Sequence, residues 1–69
     1  MDHLKILGQN IKTHRKALGV SQNTFSMMVG MNKTYLSDIE RGKGNVSFLT
    51  LAKIAKGLNV KVEELVDGL

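Results

Sequence analysis

In the segment Lys33–Arg41 the aliphatic residues are Leu36 and Ile39, three apart. On a helix they turn inward together, so Lys33, Thr34, Tyr35 and Asp38 project outward. Side chains of these types on an exposed helix face can read the edges of base pairs. A lysine ammonium donates to guanine O6 and N7, a threonine packs on the thymine methyl, and a carboxylate accepts from cytosine N4. Ser37 lies close to the same face, within reach of a phosphate oxygen. Asp38 is repelled by phosphates unless a base amino group or a basic side chain neutralises it, and Arg41 at i+3 offers that within the helix. Both roles stay open for Asp38. Bond-making chemistry is not indicated: the serines and acids are explained by helix capping, no nucleophile stands beside a base, and His3 and His14 are not spaced as neighbouring ligands. No catalytic residue, metal or cofactor is expected.

Such a helix must be held from both sides. The chain has no proline, so helices are unobstructed throughout. Leu4, Leu7, Ile11 and Leu18 fall at steps of three, four and seven, which predicts a first helix from about Asp2 to Leu18 with His14 on its apolar stripe and Gly19 as its carboxy-terminal cap. Ser21 is a good amino cap for a second helix, Gln22 to about Val29, with Phe25, Met28 and Val29 inward. Gly30, Met31 and Asn32 read as a tight turn, and the third helix runs from Lys33 to Arg41 until Gly42 ends it. After a loop, Gly42 to Val46, Ser47 caps a fourth helix with Phe48, Leu51, Ile54, Ala55 and Leu58 on one face, stopped by Asn59. Lys61 to Val66 makes a short fifth helix, with Glu63 and Glu64 near its positive end. The expected fold class is all-α, a five-helix single domain over residues 1–69, with no repeat or linker.

Two short helices joined by a tight turn, the second presenting polar residues, form a helix-turn-helix. Ser21 to Arg41 fits that unit: Ser26 is small enough for close packing, Gly30 sits in the turn, and Leu36 with Ile39 hold the second helix down. Gly19-Val20-Ser21-Gln22, Val29-Gly30 and Tyr35-Leu36-Ser37-Asp38-Ile39-Glu40-Arg41-Gly42 resemble the lambda-repressor-like (Cro/C1-type) helix-turn-helix DNA-binding domains. Asn45-Val46-Ser47-Phe48, Leu51, Ile54-Ala55, Leu58 and Val60 extend the resemblance over nearly the whole chain. Within that family, Lys33-Thr34-Tyr35-Leu36-Ser37, Glu40-Arg41-Gly42 and Asn45 are most similar to the controller proteins of restriction-modification systems, a scaffold that phage repressors and antitoxins share.

The resemblance implies further roles. It puts Gln22 against a phosphate, places Arg41, Lys43 and Asn45 in a loop that approaches the DNA backbone, and pairs Arg15 with Glu40 across the first and third helices. Lys43 also fits a plain solvated surface, and Gln22 a plain first-turn residue. Two positions depart from the family: His14 stands where an aliphatic residue is usual, and Lys61 where Ser or Thr normally caps. The histidine is read as structural. Met27, Met28 and Met31 read as gap-filling core or interface residues, with Met27 exposed.

A chain of 69 residues can bury only a small core, and without cysteines it relies on helix packing or a partner subunit. The formal charge of +4 favours a polyanionic partner, nucleic acid or an anionic membrane. That whole excess falls between Lys12 and Lys43, where Lys12, Arg15, Lys16, Lys33, Arg41 and Lys43 face only Asp38 and Glu40. No apolar run is long enough to span a bilayer and no export signal is evident, so the cytoplasm is expected. A domain this small covers few base pairs, which favours a homodimer on a palindromic operator, joined through the fifth helix and part of the fourth by surface such as Val60, Val62, Val66 and Leu69. Those valines serve equally to close the monomer's own core. The sequence thus predicts a DNA-binding transcriptional regulator, repressing or recruiting polymerase by occupancy. A protein-interaction module using the same basic face is the rival, and an enzyme the weakest reading.

Overall fold

Each of the first four helices starts on a side chain that accepts the orphan amides of its first turn. The computed structural model describes residues 2–69. Helix α1 spans His3–Leu18, and Asp2 Oδ1 accepts from the amides of Leu4 at 3.0 Å and Lys5 at 3.2 Å. Ser21 caps α2, Gln22–Met28, by accepting from Thr24 N, and Ser47 caps α4, Phe48–Leu58, through Thr50 N. Asn32 Oδ1 takes two amides of α3, Lys33–Glu40: those of Thr34 at 2.8 Å and Tyr35 at 3.2 Å. Helix α5, Val62–Leu65, starts differently. Lys61 has no side-chain acceptor, and instead Glu64 Oε2 reaches back to accept from Lys61 N at 2.7 Å.

No strand occurs among the described residues, so the architecture is all-α with the five helices in the expected order. Helices α2, α3 and α5 are shorter than the periodicity suggested. Val29 and Arg41 are C-caps of α2 and α3, and α5 is a single turn with Lys61 and Val66 as its flanking caps.

The core forms where the helices face one another, with Ile11, Phe25, Leu36, Ile39, Ile54 and Leu65 fully buried. Asn10 on α1 ties down the chain end by donating to the carbonyls of Leu65 at 3.0 Å and Asp67 at 2.7 Å. Gly42, at φ 75°, both ends α3 in a left-handed turn and lets α1 come close: a Cβ there would stand 2.8 Å from Lys5 Cα. Gly30, at φ 64°, makes the turn between α2 and α3, and Met31 N then donates back to Ser26 O at 2.8 Å. Ser26 is buried, as the close packing of that turn requires.

Three residues expected inside are outside. Leu18 is 44% exposed: it is the last residue of α1, one turn beyond Arg15, the last residue of that helix to be buried. Met28 is 54% exposed. The buried side of α2 is Phe25, Ser26 and Val29, whose centre lies roughly 100° around the helix from Met28. Phe48 is 70% exposed because it begins α4 one turn ahead of Leu51, the first residue of that helix to reach the core. Met27, at 68%, is exposed as expected. Val60, Val62 and Val66 are partly buried against the chain's own core. His14 is half-buried at a shallow depression lined with Glu63, Glu64 and Asp67.

Candidate nucleic-acid interface

The outward face of α3 follows from its capping and its inward pair. With Leu36 and Ile39 buried, Lys33 and Thr34 are exposed, Tyr35 is 37% exposed and Asp38 half-buried, and Ser37 is half-buried beside them. No acidic residue stands in the first turn of α3, and Lys33 makes no ion pair with any described residue. An ammonium at the positive end of a helix costs a few tenths of a kcal/mol, so local helix stability does not account for Lys33. An anion from outside would.

Asp38 does not stand as a bare carboxylate. Arg41 Nη2 donates to its Oδ1 at 2.6 Å. Arg41 is exposed at 56% and Asp38 half-buried at 39%, both within reach of solvent, so the pair contributes about 0.5 kcal/mol at most. A base amino group or a phosphate can therefore exchange with either partner at little cost.

The loop after α3 folds back onto it. Lys43 N donates to Asp38 O at 2.9 Å, and the Tyr35 hydroxyl reaches Asn45 O at 3.4 Å, a long contact. Lys43 and Asn45 are exposed, next to Arg41. The structure thus groups Lys33, Thr34, Tyr35, Ser37 and Asp38 on one helix and sets Arg41, Lys43 and Asn45 along the loop that follows.

Gln22 is placed differently. It opens α2, half-buried, and its Nε2 donates to Glu40 Oε1 at 3.0 Å. Its partner is therefore at the carboxyl end of α3, the end opposite Lys33. Glu40 also receives Arg15: Nε at 2.7 Å on Oε2 and Nη2 at 3.0 Å on Oε1. The third Arg15 nitrogen, Nη1, donates to Val20 O at 2.8 Å in the turn between α1 and α2. Arg15 and Glu40 are nearly fully buried, and the hydrogen bond to Glu40 raises the Arg15 pKa above its ordinary value against the burial that would lower it, with the Coulomb attraction of Glu40 adding to the rise. Every buried side-chain nitrogen and oxygen among the described residues has a partner. Sequence periodicity gave no sign of the Gln22 bond, because residues 22 and 40 are joined only when α2 and α3 cross.

Among the described residues no group of three His, Cys, Asp or Glu side chains is arranged to hold a metal ion, and no helix is long and apolar enough to cross a membrane.

Comparison with known proteins points the same way as this geometry. The family Helix-turn-helix (HTH_3) matches residues 11–65. Control protein C.MunI of a Mycoplasma species is 40% identical over 67 residues, covering 94% of this chain and 90% of that protein. The solved restriction-modification controller protein C.AhdI from Aeromonas hydrophila superposes with a TM-score of 0.87 at 35% identity, over 90% of this chain and 94% of that one. SinR, a master regulator for biofilm formation solved in complex with DNA, superposes with a TM-score of 0.84 at 40% identity, over 88% of this chain and 98% of that one.

Proposed function

The chain belongs to the Cro/C1-type helix-turn-helix family, and from that premise we propose that it is a sequence-specific transcriptional regulator that reads an operator through α3 in the major groove. The family is one of DNA-binding regulators, among them controller proteins and repressors, and not of enzymes. The observation that carries the reading is the outward row of exposed Lys33, Thr34 and Tyr35 and half-buried Asp38 on a helix pinned from behind by Leu36 and Ile39, with Arg41, Lys43 and Asn45 beside it. SinR, a relative of like fold, is solved on DNA, which supports the same partner for this chain.

In this reading Lys33, Thr34 and Tyr35 meet base edges, and Ser37, Arg41, Lys43 and Asn45 meet the backbone. Asp38 either accepts from a cytosine amino group or stays with Arg41. Gln22 donates to a phosphate. The regulator acts in the cytoplasm as a homodimer on a palindrome, by occupancy that blocks or recruits polymerase. The dimer forms through α5 and part of α4. Since Val60, Val62 and Val66 are partly taken up by the chain's own core, the free apolar surface there is Leu69 at 47% exposure, with Phe48 and Leu49 at 70% and 80% at the start of α4.

Salt separates this reading from a protein-binding module. On an operator duplex, log affinity falls linearly with log salt, by about 0.9 for each phosphate neutralised. Preference for that duplex over bulk DNA persists at moderate salt. Affinity that neither falls with salt nor distinguishes the two duplexes removes the DNA reading.

A further inference from the structure

Glu40 accepts three hydrogen bonds, two from Arg15 and one from Gln22, and so keys the end of α3 to α1 and to the start of α2 at once. The ion pair alone explains only the first link. A primary amide is suited to the second, because its nitrogen carries two hydrogens that diverge in one plane: one can go to a carboxylate while the other remains for a second acceptor. A carboxylate accepts only, so the amide must present Nε2 and not its oxygen to Glu40. Arg15, bonded through Nε and Nη2, balances the Glu40 charge, so the network brings no net negative charge toward a phosphate.

We propose that Glu40 is a positioning residue for DNA binding: its carboxylate, neutralised by Arg15, holds the Gln22 amide so that the remaining Nε2 hydrogen stays available to an incoming phosphate. This rests on the DNA-binding reading above and adds to it a residue that never touches DNA. A free glutamine side chain gives up several rotors on meeting a phosphate, whereas this one is already ordered by its bond to Glu40. Gln22 Nε2 and Arg15 Nη2 share Glu40 Oε1, so a glutamine at position 40 can keep both bonds through its carbonyl, with its nitrogen turned on Arg15 Nε. Glu40→Leu removes the acceptor altogether and leaves the Gln22 side chain without its anchor.

The test is a double-mutant cycle on a duplex enriched from a random pool by the wild-type protein. Gln22→Ala is expected to weaken binding about tenfold when Glu40 is present, and by less than about twofold in the Glu40→Leu background. An equal fold-loss in both backgrounds overturns the inference, because a Glu40 that serves only stability leaves the worth of Gln22 unchanged. Should Glu40→Leu fail to fold, the wild-type protein still decides through the nitrogen-15 spectrum of the Gln22 side chain. One Nε2 proton exchanging slowly in the free protein, and both in the DNA complex, supports the proposal; two protons exchanging at solvent-like rates in both states overturns it. A wild-type protein that enriches and binds no duplex sinks the DNA reading, and the inference with it. Binding by wild type with no coupling sinks the inference alone.

Discussion

Gly8 of α1 lies against the carbonyl oxygen of Glu40, the last residue of α3: a Cβ at position 8 would stand 2.7 Å from that oxygen and would also collide with Ile39 O. The contact is backbone against side-chain space, so neither partner can yield by changing a rotamer. It sets how near the recognition helix stands to α1, and so whether Arg15 reaches Glu40.

Gly8→Ala is therefore expected to destabilise the protein by about 1–3 kcal/mol, although alanine is the better helix former by about 1 kcal/mol. Gly44, with nothing within 4 Å of its Cβ position, is the matched control, and Gly44→Ala should leave stability within about 0.5 kcal/mol of wild type. Urea midpoints measure both. A stabilised Gly8→Ala protein would mean that α1 and α3 are less closely packed than this contact requires.

Arg15→Ala leaves the Glu40 carboxylate buried without its ion partner and frees the Val20 carbonyl. Removing one member of such a pair costs about 3–5 kcal/mol. A lower Tm and weaker DNA binding are both expected. If calorimetry and a binding isotherm are both unchanged, the pair does not hold the reading helix.

Lys43→Ala and Lys33→Ala should part company. Lys43 stands in the loop as a backbone contact, so its loss weakens binding to all duplexes about equally and lowers the salt slope by about one. Lys33 stands on the base-reading face, so its loss should cost discrimination, about 1–3 kcal/mol at the position it reads. Titrations of each variant on operator and scrambled duplexes at several salt concentrations check this. Identical profiles for the two variants would contradict the division of labour.

Phe48→Ser with Leu49→Ser removes the most exposed large apolar side chains among the described residues while touching little of the core. Sedimentation should show the wild-type protein as a dimer and this variant as a folded monomer, its Tm lower only by what the lost partner contributed. A variant that still dimerises moves the interface away from the start of α4.

The sequence carried the helices because their signals are local. Ser21, Asn32 and Ser47 announce three starts, and Gly19, Gly42 and Asn59 three ends, the asparagine itself adopting a left-handed φ of 60°. The outward row of α3 was equally readable from the spacing of Leu36 and Ile39. Less was legible wherever the outcome depends on which neighbour covers a residue. Leu18 and Phe48 continue apolar stripes in sequence but extend past the elements that would bury them, and Met28 sits just off the buried arc of a seven-residue helix. The close approaches at Gly8 and Gly42 and the bond from Gln22 to Glu40 depend on how distant segments cross, and no periodicity encodes them.

The central claim is that α3 reads a specific sequence, and selection from a random duplex pool tests it most directly. The purified protein should enrich a palindromic motif, and Lys33→Ala and Thr34→Ala should each change the enriched bases at the positions those residues read. No enriched motif at low or moderate salt, or a motif that both variants leave untouched, would contradict it.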